Sequence, residues 1–121
     1  MNRTVTGDLL RIEVRNKRLE IRTVLEENTA VMKLTGSVSA DLENDLMDEI
    51  LAFVSVGRDV RLDFSGLDYI CSTAQKRLVD IQCDYADKLG TKLEICGVSA
   101  RLYALLRSSK MDTQIKIVQG A

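Results

Sequence analysis

The side chains best suited to chemistry lie together in Leu62-Asp63-Phe64-Ser65-Gly66-Leu67-Asp68-Tyr69-Ile70-Cys71-Ser72-Thr73-Ala74. Here a thiol is followed by two hydroxyls. Cys71 and Arg77 stand in the Cys-x5-Arg spacing with which thiol phosphatases set a nucleophilic thiolate and a guanidinium fork around phosphorus. The intervening Ser72-Thr73-Ala74-Gln75-Lys76 has no Gly to bend backbone N–H groups around an anion, and the chain has no His. A thiol phosphatase is therefore a remote alternative. Hydroxyls at a helix start most often cap it, accepting from free backbone N–H groups. The same N–H groups favour anions, and ligands gather beyond the carboxyl ends of strands in open α/β sheets.

The flanking sequence shows which elements must position this segment. Leu10, Ile12 and Val14 alternate with Arg11, Glu13 and Arg15, Asn16-Lys17 interrupts, and Leu19, Ile21 and Leu25 resume a two-residue period through Glu26. This predicts a hairpin. Its charges, Arg15, Lys17, Arg18 and Arg22 interleaved with Glu13, Glu20, Glu26 and Glu27, read as a solvated strand face. A further strand is expected from about Thr29 to Thr35, ending at Gly36.

After Gly36 the period becomes helical: Leu42, Leu46, Ile50 and Phe53, widened by Met47, Leu51 and Val54, with Ser39 as the expected N-cap and Asp41 and Glu43 at the positive end of the dipole. Val60, Leu62 and Phe64 predict a short strand, and Ser65-Gly66 begins the connection to a second helix with a stripe of Ala74, Leu78, Ile81, Tyr85 and Leu89. Lys92 to Cys96 is the next strand, Ser99 caps a third helix carrying Leu102, Leu105 and Leu106, and a last strand runs from about Gln114 to Val118. Strands alternating with helices after a leading hairpin predict an α/β domain. Its mixed sheet has parallel helix-linked strands, an N-terminal antiparallel hairpin and about three to four helices. Residues 1–18 are expected to form an N-terminal extension or extra strand ahead of a domain over 19–121.

Composition narrows the function classes. The 121 residues carry 17 basic and 18 acidic side chains, a net charge of -1, and no basic block, which argues against direct nucleic-acid binding through phosphates. No window approaches the ~18 apolar residues of a membrane span, and the start lacks a signal peptide's apolar stretch, so a cytoplasmic location is expected. The absence of His removes the commonest zinc ligand and general base, excluding a His-dependent hydrolase. Cys83 and Cys96, with no CxxC pair, are expected to be small buried hydrophobes. No cofactor or metal is implied.

The chain resembles the STAS domains, whose founding members are bacterial anti-sigma-factor antagonists. The likeness spans about Leu19 to Val118. It rests on Val31-Met32-Lys33-Leu34-Thr35-Gly36, on Val60 through Ile70, on Lys92-Leu93-Glu94-Ile95-Cys96-Gly97, on the helix after Ser99, and on Met111-Asp112 before the closing strand. Cys71-Ser72-Thr73-Ala74 falls where the family has Asp-Ser-(Ser or Thr)-Gly, and Ser39 falls where it has a second acidic residue.

The resemblance implies a non-enzymatic binding module of transcription regulation. In that family the Ser after the Asp is phosphorylated by a partner that is both a serine kinase and an anti-sigma factor, and Ser72 holds that register. A phosphoryl group adds about -1.5 to -2 charges, and a helix N-terminus can hold it. Ser39, Cys71, Ser72, Thr73, Ala74 and Gln75 are the residues expected at the partner surface. The alternative is an unphosphorylated STAS scaffold or subunit of a transporter or sensory complex. A homodimer is left open.

Overall fold

Alternation of apolar and polar residues lets a strand bury one face, and seven strands pair in chain order into one sheet. The computed structural model describes residues 4–6, 9–15 and 18–119, and side chains over 18–118. Strands β1 (Thr4–Thr6), β2 (Leu9–Arg15), β3 (Leu19–Glu26) and β4 (Thr29–Val38) pair antiparallel. From β4 onward the pairing is parallel through β5 (Asp59–Ile70), β6 (Leu93–Val98) and β7 (Lys116–Gln119).

The parallel strands are joined by α1 (Glu43–Val54), by α2 (Ser72–Ile81) running through a wide turn at Gln82–Ala86 into α3 (Asp87–Leu89), and by α4 (Ala100–Ser108) followed by a short turn at Met111–Thr113. Each crossover advances one strand in the same direction. Because such crossovers are right-handed, the helices all fall on one face of the sheet. Burial follows this geometry. Leu19, Ile21, Ala30, Met32, Leu34, Val60, Leu62, Phe64, Leu93 and Ile95 are buried against the helices, while their alternates Arg22, Lys33 and Arg61 are exposed. Fully burying each such aliphatic or aromatic side chain stabilises the fold by about 1.5–3 kcal/mol. The opposite face is covered by charge: Arg61 pairs with Glu94 at 2.8 Å and Arg22 with Glu20 at 3.5 Å. Exposed pairs contribute about 0–1 kcal/mol each, so they keep that face solvated more than they hold the fold together.

The expected α/β architecture is present, with several local corrections. Strand β5 does not stop before Ser65-Gly66 but continues to Ile70, because β4 supplies partners as far as Val38, with shifts of register near Lys33/Thr35 and Gly36/Ser37. The first helix starts at Glu43 and takes Leu42 as its N-cap, so Ser39 does not cap it. In the second helix Tyr85 and Leu89 are 47% and 50% exposed. The wide turn at Gln82–Ala86 lengthens the helical repeat by one residue, and Ala86, five residues after Ile81, takes the buried place expected for Tyr85. The final strand begins at Lys116, after the short turn.

Cys83 and Cys96 also depart from expectation. Cys71 is buried, Cys83 is exposed and Cys96 is half-buried. Cys83 lies on the outer side of the wide turn, and Cys96 follows the inward Ile95 and so meets the open face of the sheet. The turn expected at Asn16-Lys17 and the side chains of Glu13 and Arg15 lie outside the described residues.

Candidate functional site

Parallel pairing of β4 with β5 brings their carboxyl ends together, Val38 opposite Ile70. The next residues, Ser39 and Cys71, therefore leave their strands side by side, and the Cys71 N–H donates to the Val38 carbonyl at 2.9 Å. Cys71 is the N-cap of α2 in extended backbone (φ -69, ψ 157), as the cap position requires, but its side chain accepts no capping hydrogen bond. Its Sγ lies 3.4 Å from Thr73 Oγ1. Ser72 is the first helical residue and is exposed.

The neighbouring hydroxyls are committed elsewhere. Thr73 Oγ1 donates to Glu43 Oε1 at 2.7 Å, and Arg77 Nη1 reaches the other oxygen of that carboxylate at 3.4 Å as well as Asn44 Oδ1. Glu43 and Asn44 open α1, so this network ties the N-terminal turns of the two helices. Ser39 Oγ donates to Asp41 Oδ1 at 2.5 Å, and Asp41 pairs with Arg18. The Ser39 hydroxyl, and then the Arg18 guanidinium, hold the Asp41 carboxyl below its usual range. Ser72 alone of these hydroxyls has no hydrogen-bond partner among the described residues.

Ala74 and Gln75, expected on the same surface, lie beneath it. Ala74 is fully buried, and Gln75, 3% exposed, donates from Nε2 to the Ile70 carbonyl at 3.0 Å and accepts from Ser109 Oγ at 2.6 Å. A buried amide is tolerated only when its polar atoms are partnered. Here those bonds fix α2 to the end of β5 and to the residue capping α4.

The side of α2 bearing Ser72 opens on a groove of about 300 Å³, lined also by Lys76, Val79, Lys110, Met111 and Gln114. Lys76 and Lys110 are exposed, and among the described residues neither is ion-paired. A larger cleft of about 450 Å³ lies between the end of β5 and α4, lined by Leu67, Tyr69, Ser99, Arg101 and Leu105, and does not include Ser72. Ser99 caps α4 as expected, accepting from the Leu102 N–H at 3.2 Å.

Arg77 is drawn to α1 and the Cys71 thiol is buried, an arrangement unlike a phosphate fork over an exposed thiolate. Sequence reasoning singled out Ser39 and the residues from Cys71 to Gln75 but missed Glu43, Asn44 and Ser109. Their partners are 30 or more positions away, and nothing in residue type or spacing marks such a pairing.

The family described as "Mlab, STAS domain" matches residues 21–119. No curated protein matches the sequence. The fold is similar to the crystal structure of an anti-sigma factor antagonist from Mycobacterium paratuberculosis, at 14% identity over 83% of this chain and 85% of that one, with a TM-score of 0.69. The NMR structure of the protein TM1081 is similar at 12% identity over 78% of this chain and 77% of that one, with a TM-score of 0.69. Murine solute carrier 26 family member A9, an anion transporter in its inward-facing state, is similar at 13% identity over 78% of this chain but 16% of that one, with a TM-score of 0.61.

Proposed function

The chain belongs to the STAS domain family, and on that premise we propose that it is a regulatory protein-binding module of the anti-sigma-factor antagonist type, acting in the cytoplasm and switched by phosphorylation of Ser72. The observation that carries this reading is the exposed hydroxyl of Ser72 on the first turn of α2, without a hydrogen-bond partner among the described residues, beside Ser39 and Thr73, whose hydroxyls are already engaged. The partner is an anti-sigma factor that is also a serine kinase. In the transfer from ATP the bond between the γ-phosphorus and the bridging oxygen breaks, the ester bond from Ser72 Oγ to phosphorus forms, ADP leaves, and the Ser72 hydroxyl proton passes to the solvent.

The physics of the switch is local. A phosphoryl group on Ser72 meets the free N–H groups of the helix start and borders a groove that also carries Lys76 and Lys110, so the fold accepts it. A partner seated on Ser39, Ser72 and Thr73, over the buried support of Cys71, Ala74 and Gln75, instead meets new charge and bulk in its interface. Incubation with the partner kinase and ATP is expected to add one phosphate, lost in Ser72→Ala, by intact-mass measurement. Titration calorimetry is expected to show weakened partner binding by Ser72→Asp with nearly unchanged thermal stability. A phosphate that persists in Ser72→Ala, or equal affinities for the two forms, refutes the switch.

A second reading is favoured by two departures from the family pattern, Cys71 for Asp and Ala74 for Gly, and by the likeness to part of a transporter. On it the domain is an unphosphorylated scaffold or transporter subunit. A verified partner that binds the chain but never phosphorylates it would establish that reading.

A further inference from the structure

Two adjacent hydroxyls open α2, and their surroundings differ in kind. Both residues are exposed, but Ser72 has no hydrogen-bond partner among the described residues, whereas Thr73 Oγ1 donates at 2.7 Å to Glu43, whose side chain is only 12% exposed. A phosphoryl group on Thr73 would remove the donated proton and set about -1.5 to -2 charges beside that carboxylate. The separation is well inside the ~8 Å Debye length at physiological salt, so solvent ions screen the repulsion poorly. Arg77, the nearby cation, is already shared between Glu43 and Asn44. On Ser72 the same group replaces no hydrogen bond and borders the groove carrying Lys76 and Lys110.

We propose that Glu43 is a specificity-determining residue: by holding the Thr73 hydroxyl in the α1–α2 contact, it confines phosphorylation to Ser72. This rests on the reading of the α2 start as a phosphoacceptor, but its physical content can be measured without a kinase. Glu43 acts through Thr73 and is a positioning residue. Its signature is a coupling between charge at 73 and the carboxylate at 43, which a purely structural role would not produce.

The test uses the full chain with phosphoserine installed at 72 or phosphothreonine at 73, each with Glu43 intact and in Glu43→Ala, followed by thermal unfolding. Phosphoserine at 72 is expected to shift Tm by no more than about 2 °C in both backgrounds. Phosphothreonine at 73 is expected to lower Tm by about 5 °C or more when Glu43 is present, and to cause no comparable drop in Glu43→Ala. Should the phosphothreonine chain fail to fold, Thr73→Asp measured against Glu43→Gln gives the same comparison with a smaller charge.

Equal tolerance of phosphate at 72 and 73, or an equal drop at 73 in both backgrounds, overturns the proposal. The outcome is separable from that of the functional reading. A missing mass gain on incubation with the partner kinase refutes phosphorylation and leaves the stability cycle intact, whereas a failed cycle with a normal gain on Ser72 refutes the role of Glu43 alone.

Discussion

Replacing Cys71 by Asp restores the carboxylate that the family pattern has beside the phosphoacceptor, and its effect on stability can be worked from the geometry of the α2 start. Cys71 already has the extended backbone of an N-cap and is 9% exposed, yet its side chain caps nothing. A carboxylate there can accept from the backbone N–H of Thr73 or Ala74. A good cap contributes about 1 kcal/mol over a non-capping residue, and negative charge at a helix N-terminus adds about 0.3–1 kcal/mol. Two terms oppose this: partial burial of a charge, and Glu43, which holds the neighbouring Thr73. Because the buried oxygen would be bonded to N–H groups, the desolvation cost is largely offset, and the net gain is about 1 kcal/mol. For a domain of this size that is a rise in Tm of about 4–6 °C. Circular-dichroism melts of the parent, Cys71→Asp, Cys71→Ser and Cys71→Ala are the assay. The expected order is Asp above Ser, with Ser above Ala. A Cys71→Asp protein that melts below Cys71→Ser would mean that the carboxylate finds no N–H partner and is simply buried, and the capping argument would be wrong.

Thr23 is buried among the core-facing positions of β3 with a hydroxyl that has no hydrogen-bond partner among the described residues, so Thr23→Val is expected to stabilise the fold by about 1 kcal/mol in urea titrations. Gly36 has φ +110, and an added Cβ would lie 2.1 Å from the Arg18 carbonyl oxygen, which itself accepts from the Ser37 N–H; Gly36→Ala is expected to cost about 3 kcal/mol, visible as a large fall in Tm. Under native conditions iodoacetamide is expected to label exposed Cys83 first, as peptide mapping would show, and buried Cys71 last. Burial, and then the charge of Asp63, raise the Cys96 thiol above its ordinary value, so its labelling should accelerate only at pH above the ordinary thiol range. Labelling of Cys71 ahead of Cys83 would contradict the burial on which the site description rests.

Local pattern was enough to read the order of elements after the hairpin, the inward Leu19 and Ile21 of β3 and Val60, Leu62 and Phe64 of β5, the cap at Ser99 and the junction where Ser72 starts a helix, because each is written in residues within a turn or two of one another. Family resemblance then singled out Ser72 among the hydroxyls by register. Features set by partners distant in sequence were not legible. Strand β5 runs to Ile70 only because β4 lies beside it, and the phase of the second helix changes at a wide turn whose reason is not visible in its own residues. Likewise, one face of the sheet being open decides that Cys96 meets charge while Ile95 beside it is buried. The candidate site divides along the same line. Sequence placed Cys71, Ser72 and Thr73 at a helix start, but only the packing of α1 against α2 brings Glu43 to Thr73 and Arg77, and only the end of α4 brings Ser109 to Gln75. Periodicity records which face of an element is apolar; it carries no record of which polar group on another element will face it, since that depends on where both elements come to rest on the sheet.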